Sequence, residues 1–255
     1  LDVMLPSLCM GGLQAISFNV NRQQSDLSLF EIGRSYLSDH GEYTEQQHLS
    51  IFLTGGRNIS NWMEPKIQNY QFFDIKSRME NLFSHLGCAD LTLSSAENNS
   101  IYEYSLSWFN QNSLLGTCGL LKTNLLRQFD LKKPVFYGEL NLQNLQMSLR
   151  QRKTIFSEIS KFPSSRRDLA VVVDQQISYR QIEDCIYSFG GPQIQNINLF
   201  DLYTNEEQLG KNKKSFAISF NIESKEKSLS SNELDQIVDH IIQKLGSELQ
   251  AVIRR

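Results

Sequence analysis

The chain has 255 residues, of which 40% are hydrophobic and 21% are charged. A chain of this length can bury the core of one large or two ordinary domains, and its composition excludes a disordered or fibrous protein. Its formal net charge of −3 excludes a protein held to nucleic acid by bulk positive charge. Any contact with RNA therefore has to come from a local patch.

The four cysteines and four histidines are scattered, with no CxxC pair and no histidine pair at the spacing of a zinc site. We therefore expect reduced thiols in a cytoplasmic protein and no metal site. No apolar run approaches the ~18 residues of a membrane span, so no membrane partner is expected. The chain starts at Leu1 with neither an initiator Met nor a targeting pattern, and we expect it to be a fragment of something longer.

Residues 1–150 predict an α+β domain with a mostly antiparallel sheet. One apolar helix follows Pro6, and a second carries an apolar stripe from Phe72 to Leu86. The other predicted elements are strands at Leu27 to Leu37, His48 to Leu53, Leu91 to Leu93, Tyr102 to Phe109 and Val135 to Leu140, a polar loop from Ser38 to Gln47, and a helix near Leu120 to Phe129.

A domain boundary is predicted near residues 149–165. A basic stretch without clear periodicity ends at Lys153, and Pro163 with its neighbouring serines indicates extended or turn backbone. This divides the chain into a first domain, residues 1–150, and a second domain, residues 161–255.

The second domain predicts the order β-α-β-β-α-β, which is typical of the ferredoxin-like fold. Its first strand is the apolar run from Leu169 to Val173, and its third alternates large and small residues from Ser215 to Ile222. Capping boxes at Ser178 and Ser230 predict where the two helices begin.

The alternation in these strands divides the predicted sheet into two faces. Phe216 and its large neighbours are expected to face the helices, which leaves Ser215, Ala217 and Ser219 on an open face beside Ala170. Such a small, uncharged face suits a nucleobase, and Tyr203 at the end of the second strand could supply an aromatic stacking platform. The alternative interpretation is an ordinary solvated sheet face.

Two basic clusters flank this domain's strands, although its charge is balanced overall, with 12 Lys and Arg against 13 Asp and Glu from residue 161 onwards. Either cluster could contact phosphates, or could simply be solvated surface. One cluster consists of Lys161, Arg166 and Arg167, and the other of Lys211, Lys213 and Lys214.

Motifs for catalysis are missing from the sequence. It contains no GxGxxG, no phosphate-binding GxxxxGK[ST] and no GxSxG nucleophile turn. We therefore predict no catalytic residues in this chain.

Several ordered segments resemble the carboxy-terminal part of bacterial phenylalanine–tRNA ligase β subunits. They are Lys161 to Asp174, Leu199 to Tyr203, Gly210 to Ala217 and Ser228 to Ser230 in the second domain, and Leu27 to Arg34, Phe72 to Lys76, Phe129 to Leu131 and Pro134 to Phe136 in the first. The resemblance implies a class II synthetase-like antiparallel domain without an active site, followed by a ferredoxin-fold anticodon-binding domain.

The resemblance also implies the partners and the site. It implies phenylalanine tRNA and a catalytic α subunit in an α2β2 heterotetramer, with ATP and Mg used by the complete enzyme and no cofactor in this part. Ala170 and Tyr203 are the best matches for the two sides of a stacked anticodon base. The full set of candidate tRNA-binding residues is Arg166, Arg167, Ala170, Tyr203, Lys211, Lys213, Lys214 and Ser219.

The apolar helices near residues 6–20 and 72–86 are candidate contacts with the α subunit, or else internal core. The alternative function is a ferredoxin-like regulatory domain that binds a small ligand, carried on a dimerising α+β scaffold. Such a domain would need no phosphate-facing lysines. A free-standing enzyme is the third possibility, and the missing motifs argue against it.

Overall fold

The computed structural model describes residues 4–39, 42–58, 62, 68–88, 91–96, 100–150, 156 and 158–254. The chain divides into two compact units, Leu1–Thr154 and Ile155–Arg255. Both are α+β with antiparallel sheets, as predicted. Among the described residues no helix combines the length and the apolar character needed to cross a membrane.

The first unit is built on a six-stranded antiparallel sheet in the order β1-β2-β6-β5-β4-β3. Its elements are α1 (Cys9–Val20), β1 (Leu27–Asp39), β2 (Glu42–Thr54), α2 (Phe72–His85), β3 (Thr92–Ala96), β4 (Tyr102–Asn110), β5 (Ser113–Leu121), α3 (Thr123–Arg127), β6 (Val135–Asn141) and α4 (Leu142–Arg150).

Helices cover both faces of this sheet, and each face has its own apolar core. On one face the buried side of α1, with Leu13 and Ile16, packs near Phe52 and Tyr137. On the other face α2 contributes Ile75, Met79 and Phe83, and α4 contributes Leu145. The apolar side of α1 and most of the predicted stripe of α2 are thus internal core, which is one of the two interpretations left open by the sequence, whereas Leu86 at the end of the stripe is exposed.

Strand β5 was missed, and the predicted helix from Leu120 to Phe129 is shorter than expected, at Thr123–Arg127. β5 lies between β6 and β4 and is buried on both faces, so its sequence shows no period of two. Its glycines have a packing role, since a Cβ at Gly119 would lie 2.2 Å from the Tyr104 carbonyl oxygen.

The predicted polar loop from Ser38 to Gln47 is also wrong for most of its length. β1 and β2 stay paired from Leu27↔Thr54 out to Asp39↔Glu42. This outer part of the hairpin is polar because it extends into solvent, where Arg34 and Glu45 form an exposed ion pair of 3.2 Å across the two strands.

The second unit has a four-stranded antiparallel sheet in the order β10-β7-β9-β8, and it confirms the predicted β-α-β-β-α-β order. Its elements are β7 (Ser165–Asp174), α5 (Tyr179–Gly190), a 3-10 turn (Gly191–Gln193), β8 (Ile194–Tyr203), the short α6 (Glu206–Leu209), β9 (Lys213–Ile222), α7 (Ser231–Leu249) and β10 (Val252–Arg254).

Two capping boxes fix where the long helices begin. The Ser178 hydroxyl accepts from the Gln181 N–H before α5, and the Ser230 hydroxyl accepts from the Glu233 N–H before α7. A hydrogen bond from the Lys227 ammonium, followed by those from Ser230, lowers the pKa of Glu233 to about 2. Both helices then pack their apolar sides on one face of the sheet.

Buried thiols are found in both units. Cys9, Cys118 and Cys185 are buried, and none of the four cysteines is in a disulfide. Burial raises the pKa of Cys9 and of Cys118 to about 12. Thiols that stay protonated are poor nucleophiles and poor metal ligands, so these two act as small apolar core residues.

We predict that Ser230→Ala lowers the free energy of unfolding of the α7 region by about 1 kcal/mol, because the first turn of the helix loses its side-chain cap. Hydrogen exchange of the α7 amides measures this loss. Ser231→Ala is the control, since its side chain makes no hydrogen bond within the described residues. Equal exchange in the two variants would contradict the prediction.

Candidate nucleic-acid interface

The open face of the second unit is set by the pairing of β7 with β9. Ala170 lies opposite Ala217 and Asp168 lies opposite Ser219, so these side chains share one face of the sheet. Val171 and Ile218, which alternate with them, are fully buried in the core against the helices. The face away from the helices, carrying Ala170, Ala217, Ser215 and Ser219, is called the open face below.

The flanking strands extend this face to both edges of the sheet. On β8, Asp201 pairs with Ala217 and Tyr203 pairs with Ser215. On β10, Arg254 pairs with Ala170. The centre of the open face is therefore a floor of small side chains bordered by an aromatic ring, a carboxylate and a guanidinium. Two floor residues are nearly covered, with Ser215 5% and Ser219 6% exposed.

The Arg254 side chain reaches across this floor. Its guanidinium carbon lies 5.3 Å from the centre of the Tyr203 ring, although β10 and β8 are the two edge strands. Three strand spacings separate those edges, or about 14 Å. The Arg254 and Tyr203 side chains can meet across that distance only because Ala170 and Ala217 leave room above the two central strands. The Tyr203 hydroxyl donates to Gln208 at 2.8 Å, which steadies the ring.

The predicted cluster at the start of β7 is divided between the two faces. Arg166 is on the open face, where its Nε lies 2.9 Å from Asp168. Arg167 alternates with it and lies 3.7 Å from Asp235 of α7, on the helix side. The structure therefore brings Arg166 to the open face and leaves Arg167 on the other.

The lysines before β9 divide in the same way. Lys213 shares the alternation of Ser215 and is exposed. Lys214 packs its ammonium 5.1 Å from the centre of the Phe216 ring, on the helix side of the sheet. Lys211 lies in the exposed turn before the strand. Because Lys213 pairs with Asp174, eight residues along β7 from Arg166, the backbone positions of Arg166 and Lys213 are about 27 Å apart, at opposite ends of the sheet.

Five of the eight candidate residues are thus collected on the open face, namely Arg166, Ala170, Tyr203, Lys213 and Ser219. Arg254 and Asp201 also lie on this face and were not predicted from the sequence. The position of Arg254 could have been predicted, because the last strand of a ferredoxin-like fold lies beside the first.

This arrangement can bind but has no evident means of catalysis. An aromatic ring beside a small-residue floor can stack a base, the Asp201 carboxylate can accept from an exocyclic amine, and Arg166 and Lys213 can contact phosphates. No group of three or more His, Cys, Asp or Glu side chains suited to a metal ion occurs in the described part of the chain.

Known proteins match both units of the chain. Residues 1–142 match the family described as Phenylalanyl tRNA synthetase beta chain CLM domain. Residues 160–254 match the family described as Ferredoxin-fold anticodon binding domain.

Curated relatives named phenylalanine–tRNA ligase beta subunit cover almost all of the chain. Those of Bacteroides thetaiotaomicron and Bacteroides fragilis are 30% and 31% identical over 100% of it, and that of Dehalococcoides mccartyi is 30% identical over 99%. The chain spans only 32%, 32% and 31% of their respective lengths. The structure of a pyrrolysyl tRNA synthetase of Desulfitobacterium hafniense matches 58% of this chain and 50% of its own length, at 16% identity and a TM-score of 0.43.

We predict that Arg254 and Tyr203 are energetically coupled. The cation–π contact between exposed side chains contributes about 0.5–1 kcal/mol, so Arg254→Ala and Tyr203→Ala each lose it and the double variant loses it once. A double-mutant cycle measured by chemical denaturation gives the coupling. Strictly additive losses would contradict the contact.

Proposed function

The chain belongs to the phenylalanine–tRNA ligase β-subunit family, and from that premise we propose that its open face binds the anticodon stem-loop of phenylalanine tRNA. The observation that carries the proposal is the small-residue floor between Ala170 and Tyr203, on a domain of the anticodon-binding family. An unpaired base can lie flat on these small side chains, whereas larger side chains at the same positions would exclude it.

One anticodon base stacks between Ala170 and the ring of Tyr203 in this proposal. The strands that carry these residues are two apart in the sheet, or about 9.6 Å, and only β9 with its small side chains lies between them. The guanidinium of Arg254 now lies over the ring. The base displaces it, and the freed arginine becomes available to a phosphate or to a neighbouring base.

In this proposal a few lysine and arginine side chains orient the anticodon stem-loop through individual phosphate contacts, and the net charge of the domain plays no part. Arg166 and Lys213 at the two ends of the open face, with Lys211 in the adjoining turn, contact the backbone of the stem-loop. Arg167 and Lys214 are directed to the helix side by ion-pair and ring contacts, so we assign them a smaller role.

The first unit packs against the catalytic α subunit in this proposal, as part of an α2β2 assembly that carries out ATP-dependent aminoacylation. In this proposal neither a catalytic residue nor a cofactor site is assigned to the described residues of this chain. Because most of the apolar stripes of α1 and α2 are buried internally, the contact is assigned to an apolar groove between β1 and α2. There, exposed Phe30 (73%) and Ile32 (58%) of β1 lie near Leu82 of α2 in a cavity of about 610 Å³.

We expect Tyr203→Ala to weaken tRNA binding by about 1–3 kcal/mol, the contribution of one base–aromatic stack. Fluorescence anisotropy with a phenylalanine tRNA transcript and an anticodon-swapped transcript measures this at two salt concentrations. The unaltered chain prefers the native anticodon, and binding weakens with salt because phosphates are contacted.

The matched controls separate stacking from folding. Tyr203→Phe keeps the ring and binds as the unaltered chain does, while Tyr187→Ala removes an exposed tyrosine from α5, on the helix side. Normal tRNA binding by Tyr203→Ala would refute the stack. Saturable amino-acid binding at the edge of the second unit, with no response to tRNA, would favour the regulatory alternative.

We expect Ile32→Asp to reduce assembly with the α subunit at least about tenfold, because it places a charge in an apolar contact. Co-expression followed by size-exclusion chromatography measures the assembled fraction. Ser38→Asp adds the same charge to β1 outside the groove and is the control. Full assembly of Ile32→Asp with the α subunit would move the interface elsewhere.

A further inference from the structure

A second cavity lies on the face of the six-stranded sheet that packs against α1. Its volume is about 420 Å³, which falls in the ~300–1,000 Å³ range of small-molecule sites. One side is apolar, with Ile101, Tyr102, Leu114 and Leu115. The other side is polar and is dominated by the carboxylate of Glu139. This space, called the Glu139 cavity below, has no part in the function proposed above.

Glu139 is held in a fixed position by its neighbours. The Tyr137 hydroxyl donates to Oε2 and also lies 3.1 Å from the Ser50 hydroxyl. Burial, followed by the charge of Glu139, raises the pKa of Tyr137 far above its usual range, so this hydroxyl stays protonated and remains a donor. The remaining oxygen, Oε1, faces His48.

His48 leaves part of its own hydrogen-bonding capacity unused. The residue is only 7% exposed, and its Nε2 lies 2.9 Å from the Ser35 hydroxyl. Its Nδ1 lies 3.4 Å from Glu139 Oε1 without forming a hydrogen bond, and Nδ1 has no hydrogen-bond partner within the described residues. Glu139 Oε1 therefore faces a buried imidazole nitrogen without bonding to it, which leaves this carboxylate oxygen as an acceptor for a ligand in the cavity.

The negative charge of Glu139 favours a positively charged ligand in the cavity. No lysine or arginine lines it among the described residues, and Glu139 has no ion-pair partner there except His48. A half-buried carboxylate without a firm cationic partner is costly, and an incoming cation offsets that cost. The rings of Tyr102 and Tyr137, 6.0 Å apart, add aromatic surface that attracts a cation. A triphosphate or another anion would meet only repulsion.

We propose that the Glu139 cavity binds a small organic primary ammonium compound with an aromatic or apolar body. The ammonium donates to Glu139 Oε1, and the body lies against Tyr102 and Leu114. This inference is independent of tRNA binding, because it concerns the first unit and uses none of the open-face residues.

Isothermal titration calorimetry of the full chain with three probes of similar size tests the proposal. The probes are 2-phenylethylammonium, neutral 2-phenylethanol and anionic 3-phenylpropionate. We expect saturable binding of the ammonium alone. Glu139→Gln, which still accepts from Tyr137, weakens that binding at least about tenfold by removing a charge-assisted hydrogen bond.

Two further variants keep the test decisive. Glu103→Gln removes an exposed carboxylate of β4 that does not line the cavity, and it leaves binding unchanged. Leu114→Trp enlarges a wall residue that is 41% exposed, and it weakens binding without altering Glu139, even if Glu139→Gln does not fold. Equal binding of the alcohol, no binding of the ammonium, or full binding by folded Glu139→Gln or by Leu114→Trp would overturn the proposal.

Discussion

The unbroken pairing of β7 with β9 is the constraint on which the candidate interface depends. Ten residues of each strand pair in register from Ser165↔Ile222 to Asp174↔Lys213, without a bulge. Because side chains alternate, a slip of one residue would move Val171 to the open face and the alanines into the core. The free energy of burying the apolar side chains therefore fixes the register, and the small-residue floor follows from it. The positions of β10 and β8 depend on this pair, because β10 pairs with β7 and β8 pairs with β9.

The second unit could be predicted almost completely because its signals are local. Alternation marks β9, and the Ser178 and Ser230 capping boxes mark both helices within a few residues of where they begin. The first unit was harder. β5 is buried on both faces and contains Gly116 and Gly119, which a local interpretation takes for breaks. Close approach of neighbouring backbone requires those glycines, and nothing in the segment itself reveals it.

The candidate interface could likewise be predicted only where its signals are local in the sequence. Alternation correctly placed Ala170 and Ser219 on one face, whereas Arg167 and Lys214 were grouped with their sequence neighbours although adjacent residues of a strand point to opposite faces. Arg254 was missed for another reason. Its position over Tyr203 depends on how β10 pairs with β7, some 80 residues earlier, and on two alanines that leave the path open.

The shortness of β10 has a consequence for the solubility of the chain. It pairs only with Ala170–Val172, so within the described residues no strand covers the outer side of β7 from Ser165 to Leu169. An uncovered strand edge is a template on which another chain can add a strand and begin aggregation. Here that stretch reads Ser-Arg-Arg-Asp-Leu, and its charges would have to be desolvated by any added strand. Arg166, which borders the open face, and Arg167, which lies on the helix side, thus protect the sheet from association with itself.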